Sequence, residues 1–491
     1  MFLSNINFEL NKSTSLLLVA LIIMSFSLYW ARVVPISVAL AGLAIIWVAA
    51  LPTVFYLQSV NQKPIPFFEL NTLFYLVFFG LPVFTIPLAW PQASNLVIND
   101  RSLLPEIRTE VVVTVFFGIA IMACSFYLFR NILFKSISHL RIVGAGGHRK
   151  AKLLIWVLMG AHLIYLYVPG LSNIGSIGQF LNPISYVAFG AFYLFWRNRQ
   201  LSQLEFLVVI LICLPLEIYA RIESLQLAKI LLFGIFFVII FWREKQYILL
   251  AMLSVFCLLA ILSYGTTIVV RSYSVPGVDR ILAGIKFFTP QLILGKKKIL
   301  HRDGHSLRFD GRFGAVVKRT AKIWTYHIVA NKSPNPIPLW RGESYKPLIT
   351  SFIPRIFYPD KPEERAGNVF GKRYGFLDSN NTNTAINISW NTELLANFGS
   401  WGVLWGMALI GAFLALLDRI FNSRKSSDLE FIVGLSIISP LVYPESNLSV
   451  MIGSMLPLTI CLYVYFRGGA WVLNKLPVKF FKSSSIPRAP T

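Results

Sequence analysis

Apolar runs of about 20 residues, the length a helix needs to cross a bilayer, alternate with short polar stretches along most of this chain. Twelve spans are read, at 14–30, 34–56, 70–89, 110–129, 152–169, 183–197, 203–220, 227–242, 247–268, 400–418, 429–444 and 448–466. Those near 183, 429 and 448 are short or interrupted, which fits tilted or broken helices. Residues 270–399 break the rhythm as one long polar, basic insert. The pattern predicts an all-α polytopic membrane protein with about 12 transmembrane helices and one long extracytoplasmic loop. It divides into a membrane domain of about nine spans (1–269), the loop (270–399), about three further helices (400–470) and a basic tail (471–491). No small-residue cleavage site follows the first run, so it is read as a retained helix. Inside the insert, amphipathic helices are expected near 277–292 and 312–330, and the Pro- and Gly-rich stretch Ser333 to Arg355 is expected to be irregular.

Composition agrees with the pattern. The 491 residues are 56% hydrophobic and only 14% charged, too little charge to wet a soluble surface. The formal charge is +23, which in a soluble protein would suggest nucleic acid. Here much of the excess lies in short loops: Arg130, Lys135, Arg141, Arg149, Lys150 and Lys152; Arg197 and Arg199; Arg243 and Lys245; Arg419, Arg424 and Lys425. The C-terminal segment adds Arg467, Lys475, Lys479, Lys482 and Arg488. All fall on one side if both termini are cytoplasmic, as the positive-inside rule requires. No zinc-finger or RNA-binding signature is present, so no nucleic-acid partner is expected. The insert then faces outward with 20 Lys or Arg against 9 Asp or Glu. A cationic surface there suits lipid headgroups or an anionic substrate, and membrane lipid is an expected partner. Cys124, Cys213, Cys257 and Cys461 each lie in an apolar run and read as core residues.

The insert holds the densest reactive chemistry. Pro354, Pro359 and Pro362 stiffen the backbone around Arg355 and Lys361, a fork and a point charge suited to phosphate oxygens. Gly367 to Asp378 combines glycines with Lys372 and Arg373, without the spacing of a Walker A loop or a dinucleotide fingerprint. Asn387 and Trp390 suit sugar hydroxyls and a sugar face. Glu393, just before a span and followed by Asn397, is either a base, an orienting group or a helix cap. Arg271 and Arg319 are further cations, Arg271 also fitting a snorkelling anchor. Glu445, in the turn Tyr443-Pro444-Glu445-Ser446, either faces the same mouth or is solvated. His162 reads as a packed polar contact and His327 as a weak proton-carrier candidate. His301 and His305 are interrupted by Gly304 and no His-Glu-x-x-His occurs, so no metal site is expected.

Three stretches together resemble bacterial oligosaccharide repeat-unit polymerases, the O-antigen and exopolysaccharide polymerases of the Wzy type. They are Gly342-Glu-Ser-Tyr345, Ile353-Pro-Arg-Ile-Phe-Tyr-Pro-Asp-Lys-Pro362 and Glu393-Leu-Leu-Ala-Asn-Phe-Gly-Ser-Trp-Gly402. The close resemblance covers roughly residues 310–415. It implies a GT-C-like glycosyltransferase of lipid-linked donors in a bacterial cytoplasmic (inner) membrane. Such an enzyme joins oligosaccharide units carried on undecaprenyl pyrophosphate, with a flippase and a chain-length regulator as partners and no cofactor. It implies Arg355 first for the pyrophosphate, Lys361 and Arg373 as helpers, Arg319 and Arg271 behind them, and Glu393 for the acceptor hydroxyl. Asp378, Asn387, Trp390, Asn397 and Glu445 complete the expected substrate contacts. An O-antigen ligase or other lipid-linked glycosyltransferase is the first alternative reading, and a lipid-linked sugar flippase or other transporter the second.

Overall fold

A computed structural model describes residues 11–89, 107–143, 148–171, 175–223, 227–262, 299–302, 305–308, 316–317, 319–351, 353, 358, 365–382, 384–453 and 455–475. Arg271, Arg355 and Lys361, and the amphipathic stretch expected at 277–292, lie outside the described residues.

The described chain is helical apart from one short antiparallel hairpin, β1 (Ile299–Arg302) with β2 (His305–Arg308). Nine helices precede it: α1 (Lys12–Trp30), α2 (Ile36–Gln58), α3 (Phe67–Leu88), α4 (Thr109–Leu133), α5 (His148–Tyr167), α6 (Gly175–Arg197), α7 (Gln203–Arg221), α8 (Leu227–Arg243) and α9 (Tyr247–Leu262). Three short helices follow, α10 (Lys322–Lys332), α11 (Lys346–Ser351) and α12 (Ala366–Arg373), and then α13 (Trp390–Phe421), α14 (Asp428–Ile438) and α15 (Leu448–Lys475). Eight helices are long and apolar enough to cross a membrane by length and composition: α1 to α5, α7, α13 and α15. The other four expected positions are helical too, as α6, α8, α9 and α14.

Charged and polar contacts fix which helix ends lie together. At one end Asn11 Nδ2 donates to Leu57 O at 2.6 Å, Lys150 Nζ to Asn474 Oδ1 at 2.5 Å, and Arg243 Nη2 meets Asp428 Oδ1 at 2.7 Å. Asp418 there accepts Arg130 Nε at 2.9 Å and lies 3.4 Å from Lys63 Nζ. This is the end of the short Lys/Arg-rich loops, and both described termini belong to it. The opposite end carries α10 and the described residues that lead from it into α13.

The α13–α4 contact is the most extensive helix pairing. Small residues permit it, because lipid offers no hydrophobic drive and close backbone approach must supply the dispersion energy. A Cβ on Gly411 would meet Met122 O at 2.3 Å, and one on Gly118 would meet Val403 Cγ1 at 3.1 Å. Ser125 Oγ donates to Ala408 O at 2.6 Å across the same seam.

The helix expected at 312–330 is regular as α10, which begins at Lys322. It ends at Lys332 because Ser333 precedes Pro334, and a residue before proline avoids helical backbone; Ser333 is extended at φ −117° and ψ 139°. Ile323, Tyr326, Ile328 and Val329 are buried against α3, α4 and α13. The helix is therefore a plug in the loop end of the bundle. Within the stretch expected to be irregular, Glu343–Tyr345 forms a 3-10 turn that leads into α11.

Candidate functional site

The site is built where α10, the start of α13 and the turn after α14 meet. α13 begins ten residues before the span expected there, at Trp390 with Ser389 as N-cap. Gly399 interrupts it with φ 71° and ψ −168°, a conformation open essentially to glycine alone. The break strips Ala396 O and Asn397 O of their partners one turn on. The loop replaces them: Trp340 N donates to Ala396 O at 2.9 Å and Arg341 N to Asn397 O at 3.0 Å. Gly342 N donates to Asn397 Oδ1 at 2.9 Å, closing the join from the side-chain direction.

Glu393 is fully buried in this join. Its carboxylate accepts Ser344 Oγ at 2.7 Å and the backbone N–H of Leu448 at 2.8 Å. Asn397 Nδ2 donates to Ser344 Oγ at 2.9 Å and to Glu393 O at 2.8 Å. Glu393 and Asn397, expected at a substrate mouth, thus tie the loop, α13 and α15 together. Ser344, which lies in the Gly342-Glu-Ser-Tyr345 stretch but had no role assigned from the sequence, is the shared partner.

The charged centre lies beside this join. Arg319 forms a two-pronged ion pair with Glu445 through both Nη atoms, and Nη2 also donates to Tyr443 Oη at 3.0 Å. Lys322 Nζ reaches Glu445 Oε1 at 2.9 Å. Glu445 is 1% exposed, so the solvated turn is excluded and the carboxylate is a buried counter-ion. Two cations share that one carboxylate. Burial, with Arg319 adding to it, holds the Lys322 ammonium well below the ordinary lysine range. Lys322 falls inside the stretch expected as an amphipathic helix, and its one signal in the sequence is the spacing from Arg319, which puts both on one face.

His327 is buried, contacts Asn331 Nδ2 through Nε2 at 2.7 Å and stacks on Trp324. Burial, with Arg108 adding to it, takes the imidazole down to about 4, so it is neutral near pH 7 and poorly suited to carrying a proton there. Trp390 is 1% exposed and its indole is packed rather than open to a sugar face. Arg373 directs Nη2 to Pro338 O and lies over the Trp340 ring at 5.8 Å, bracing the loop before the join. Asp378 and Asn387 are exposed on the loop surface. Of the expected site residues, the structure brings together Arg319 with Glu445, and Glu393 with Asn397.

Beside the join an apolar groove of about 460 Å³ runs down α13, from Tyr345 and Phe398 past Gly402, Trp405 and Gly406 to Phe413. Leu448 forms part of its wall, and only Ser446 and Asn447 lie between it and Glu445. Gly402 and Gly406 keep the floor low; their Cβ positions are already filled by Phe398 Cβ at 2.1 Å and Leu394 Cδ2 at 2.2 Å.

A second charged group is buried between α5, α6 and α7. His162 Nε2 meets Glu217 Oε2 at 2.6 Å and Nδ1 meets Leu181 O at 2.9 Å. Arg221 reaches Glu217 Oε1 at 2.5 Å and Ser185 Oγ at 3.0 Å. The packed contact expected for His162 is there, with a carboxylate partner. Among the described residues, no group of three or more His, Cys, Asp or Glu is placed to hold a metal ion. No family model, curated protein or solved structure matches this chain.

Proposed function

We propose that this chain is a 12-span membrane glycosyltransferase that polymerises oligosaccharide repeat units carried on undecaprenyl pyrophosphate. In this reading both termini are cytoplasmic, the long loop is extracytoplasmic and the membrane is a bacterial inner membrane. The observation that carries it is the paired cation centre, Arg319 and Lys322 around one buried carboxylate, at the loop end of an apolar bundle and close to an apolar groove. A polyprenyl tail needs such a groove, a pyrophosphate needs excess positive charge, and sugars need the aqueous loop above.

The reaction follows from that division. The acceptor sugar hydroxyl attacks the anomeric carbon of the donor and passes its proton to water at the loop mouth. The bond to the pyrophosphate oxygen breaks, and undecaprenyl pyrophosphate leaves with the electron pair. Arg319 and Lys322 stabilise the charge developing on that oxygen, an effect that is large in a site screened from water. Glu445 holds both cations in place while the site is empty. Arg355, Lys361, Arg271 and Arg373 supply further positive charge from the loop. Glu393 and Asn397 fix the loop against α13, so their contribution is orientation.

The test is a purified-protein assay with native-type undecaprenyl-pyrophosphoryl oligosaccharide, with products resolved by size. A ladder in whole repeat units with release of undecaprenyl pyrophosphate supports the reading. Arg319→Lys should keep a measurable fraction of the activity and Arg319→Ala should lose about 100-fold or more, as for other transition-state charge donors. Folded protein that makes no ladder from verified substrate overturns the reading.

A further inference from the structure

A cavity of about 700 Å³ lies at the other end of the bundle, among the Lys/Arg-rich loops and far along the helices from the proposed reaction. Its floor is apolar, with Leu194 and Phe195 of α6 and Leu429 of α14. Its rim is polar, with Arg141 on the loop before α5 and Lys425 on the loop before α14, flanked by the Ser426 and Ser427 hydroxyls.

Cations outnumber carboxylates around this rim, with Asp428 and Glu430 set among Arg141, Lys425, Arg243 and Arg467. Both carboxylates that line it are engaged. Asp428 meets Arg243 at 2.7 Å and accepts Asn198 Nδ2 at 3.1 Å. Glu430 accepts the backbone N–H of Val143 at 2.7 Å and of Ile142 at 3.1 Å. Among the described residues, Arg141 and Lys425 make no ion pair and both are exposed. Half-buried His139 lies on the same wall, and its imidazole is pushed down by burial and by Lys63 and Arg141, so it adds a neutral polar ring. An apolar floor under a rim with excess positive charge and hydroxyls suits a phosphate ester with a hydrocarbon portion. Basic pockets between membrane helices collect such groups.

We propose that this cavity is a binding site for an organophosphate, its phosphate held between Arg141 and Lys425 and its carbon portion on Leu194, Phe195 and Leu429. The site does not depend on the reaction proposed above. The phosphate comes either from an anionic lipid headgroup or from a soluble phosphate ester, and the two sources separate experimentally.

The protein is placed in nanodiscs of phosphatidylcholine alone, and sn-glycerol 3-phosphate is titrated in by calorimetry. In parallel, nanodiscs containing phosphatidylglycerol are examined by native mass spectrometry for retained lipid. Arg141→Gln with Lys425→Gln is compared with Lys135→Gln with Lys245→Gln, which removes the same charge from exposed positions outside the cavity. Loss of two charge-assisted contacts should weaken binding at least about tenfold in the first pair and little in the second. Retained phosphatidylglycerol identifies a lipid source, and a calorimetric signal from glycerol 3-phosphate a soluble one. If neither ligand binds, or if both pairs of substitutions weaken binding equally, the proposal is wrong. A melting curve on each variant shows whether it is folded.

Discussion

Replacing Glu445 with glutamine keeps shape and volume but deletes the one negative charge shared by Arg319 and Lys322. The side chains of the three groups are 2%, 22% and 11% exposed, so Arg319 and Lys322 would face each other with little water to screen them. Breaking a buried ion pair by removing one partner costs about 3–5 kcal/mol. At about 2 °C per kcal/mol, the low end for large domains, the melting temperature in detergent should fall by roughly 6–10 °C. The loss should depend on pH. Lys322 in the folded protein is depressed below its unfolded value, so between the two the unfolded chain binds the extra proton. Stability therefore rises with pH across that window, and Glu445→Gln, which strips the countercharge, should deepen the effect. The deficit measured at pH 7 should narrow at pH 9. Adding Lys322→Met should recover part of the loss at pH 7, since one cation then remains instead of two. A Glu445→Gln protein that melts within about 2 °C of the parent at every pH would refute the shared-carboxylate account.

Further outcomes follow from other features. Gly399→Ala meets no steric obstacle, its nearest neighbour being Leu339 Cδ1 at 3.9 Å, so its cost is conformational, about 1–3 kcal/mol, read as a lower melting temperature. Gly411→Leu, by contrast, collides with the Met122 carbonyl and should prevent assembly of α13 on α4, visible as loss of folded protein on size exclusion. His327 falls from an ordinary value near 6.5 to about 4, so the folded protein binds fewer protons than the unfolded chain below pH 6.5. Stability should drop as pH falls from 6.5 to 4, by about 3 kcal/mol in all, and His327→Gln should flatten that limb of a melting-versus-pH series. Glu393→Gln with Ser344→Ala should loosen the loop, read as faster amide exchange at Trp340 to Gly342 with little change in the exchange of α4.

Much of the helical layout was legible in the sequence because burial in lipid writes itself as long apolar runs. What the runs hid were helices that carry polar residues for a purpose. The start of α13 was missed because Asn391, Thr392, Glu393 and Asn397 dilute its hydropathy; the Ser389 N-cap was the available signal. α6 starts at Gly175 rather than near 183 because Pro183 reads as an interruption yet is accommodated inside the helix. Arg319 and Glu445 were each singled out, but 126 residues separate them and nothing in a single chain announces the pair. Lys322 was hidden for the opposite reason: a lysine in an amphipathic pattern belongs on the wet face, and only tertiary packing shows that this one is buried. Glu393 and Asn397 lie four apart on one helix face, a spacing that fits a catalytic pair and a structural clasp equally well.

The capping of the α13 break by Trp340 and Arg341 also dictates an order of events during synthesis. The first nine helices and the plug-forming segment emerge before α13 exists, so α10 waits with part of its buried face uncovered and the loop lacks its anchor. Only after the chain has extended past Phe421 and through the turn at Glu445 can the loop close. The join at the loop end is therefore assembled last, and chains that stop before Leu448 lack the N–H that closes it on Glu393.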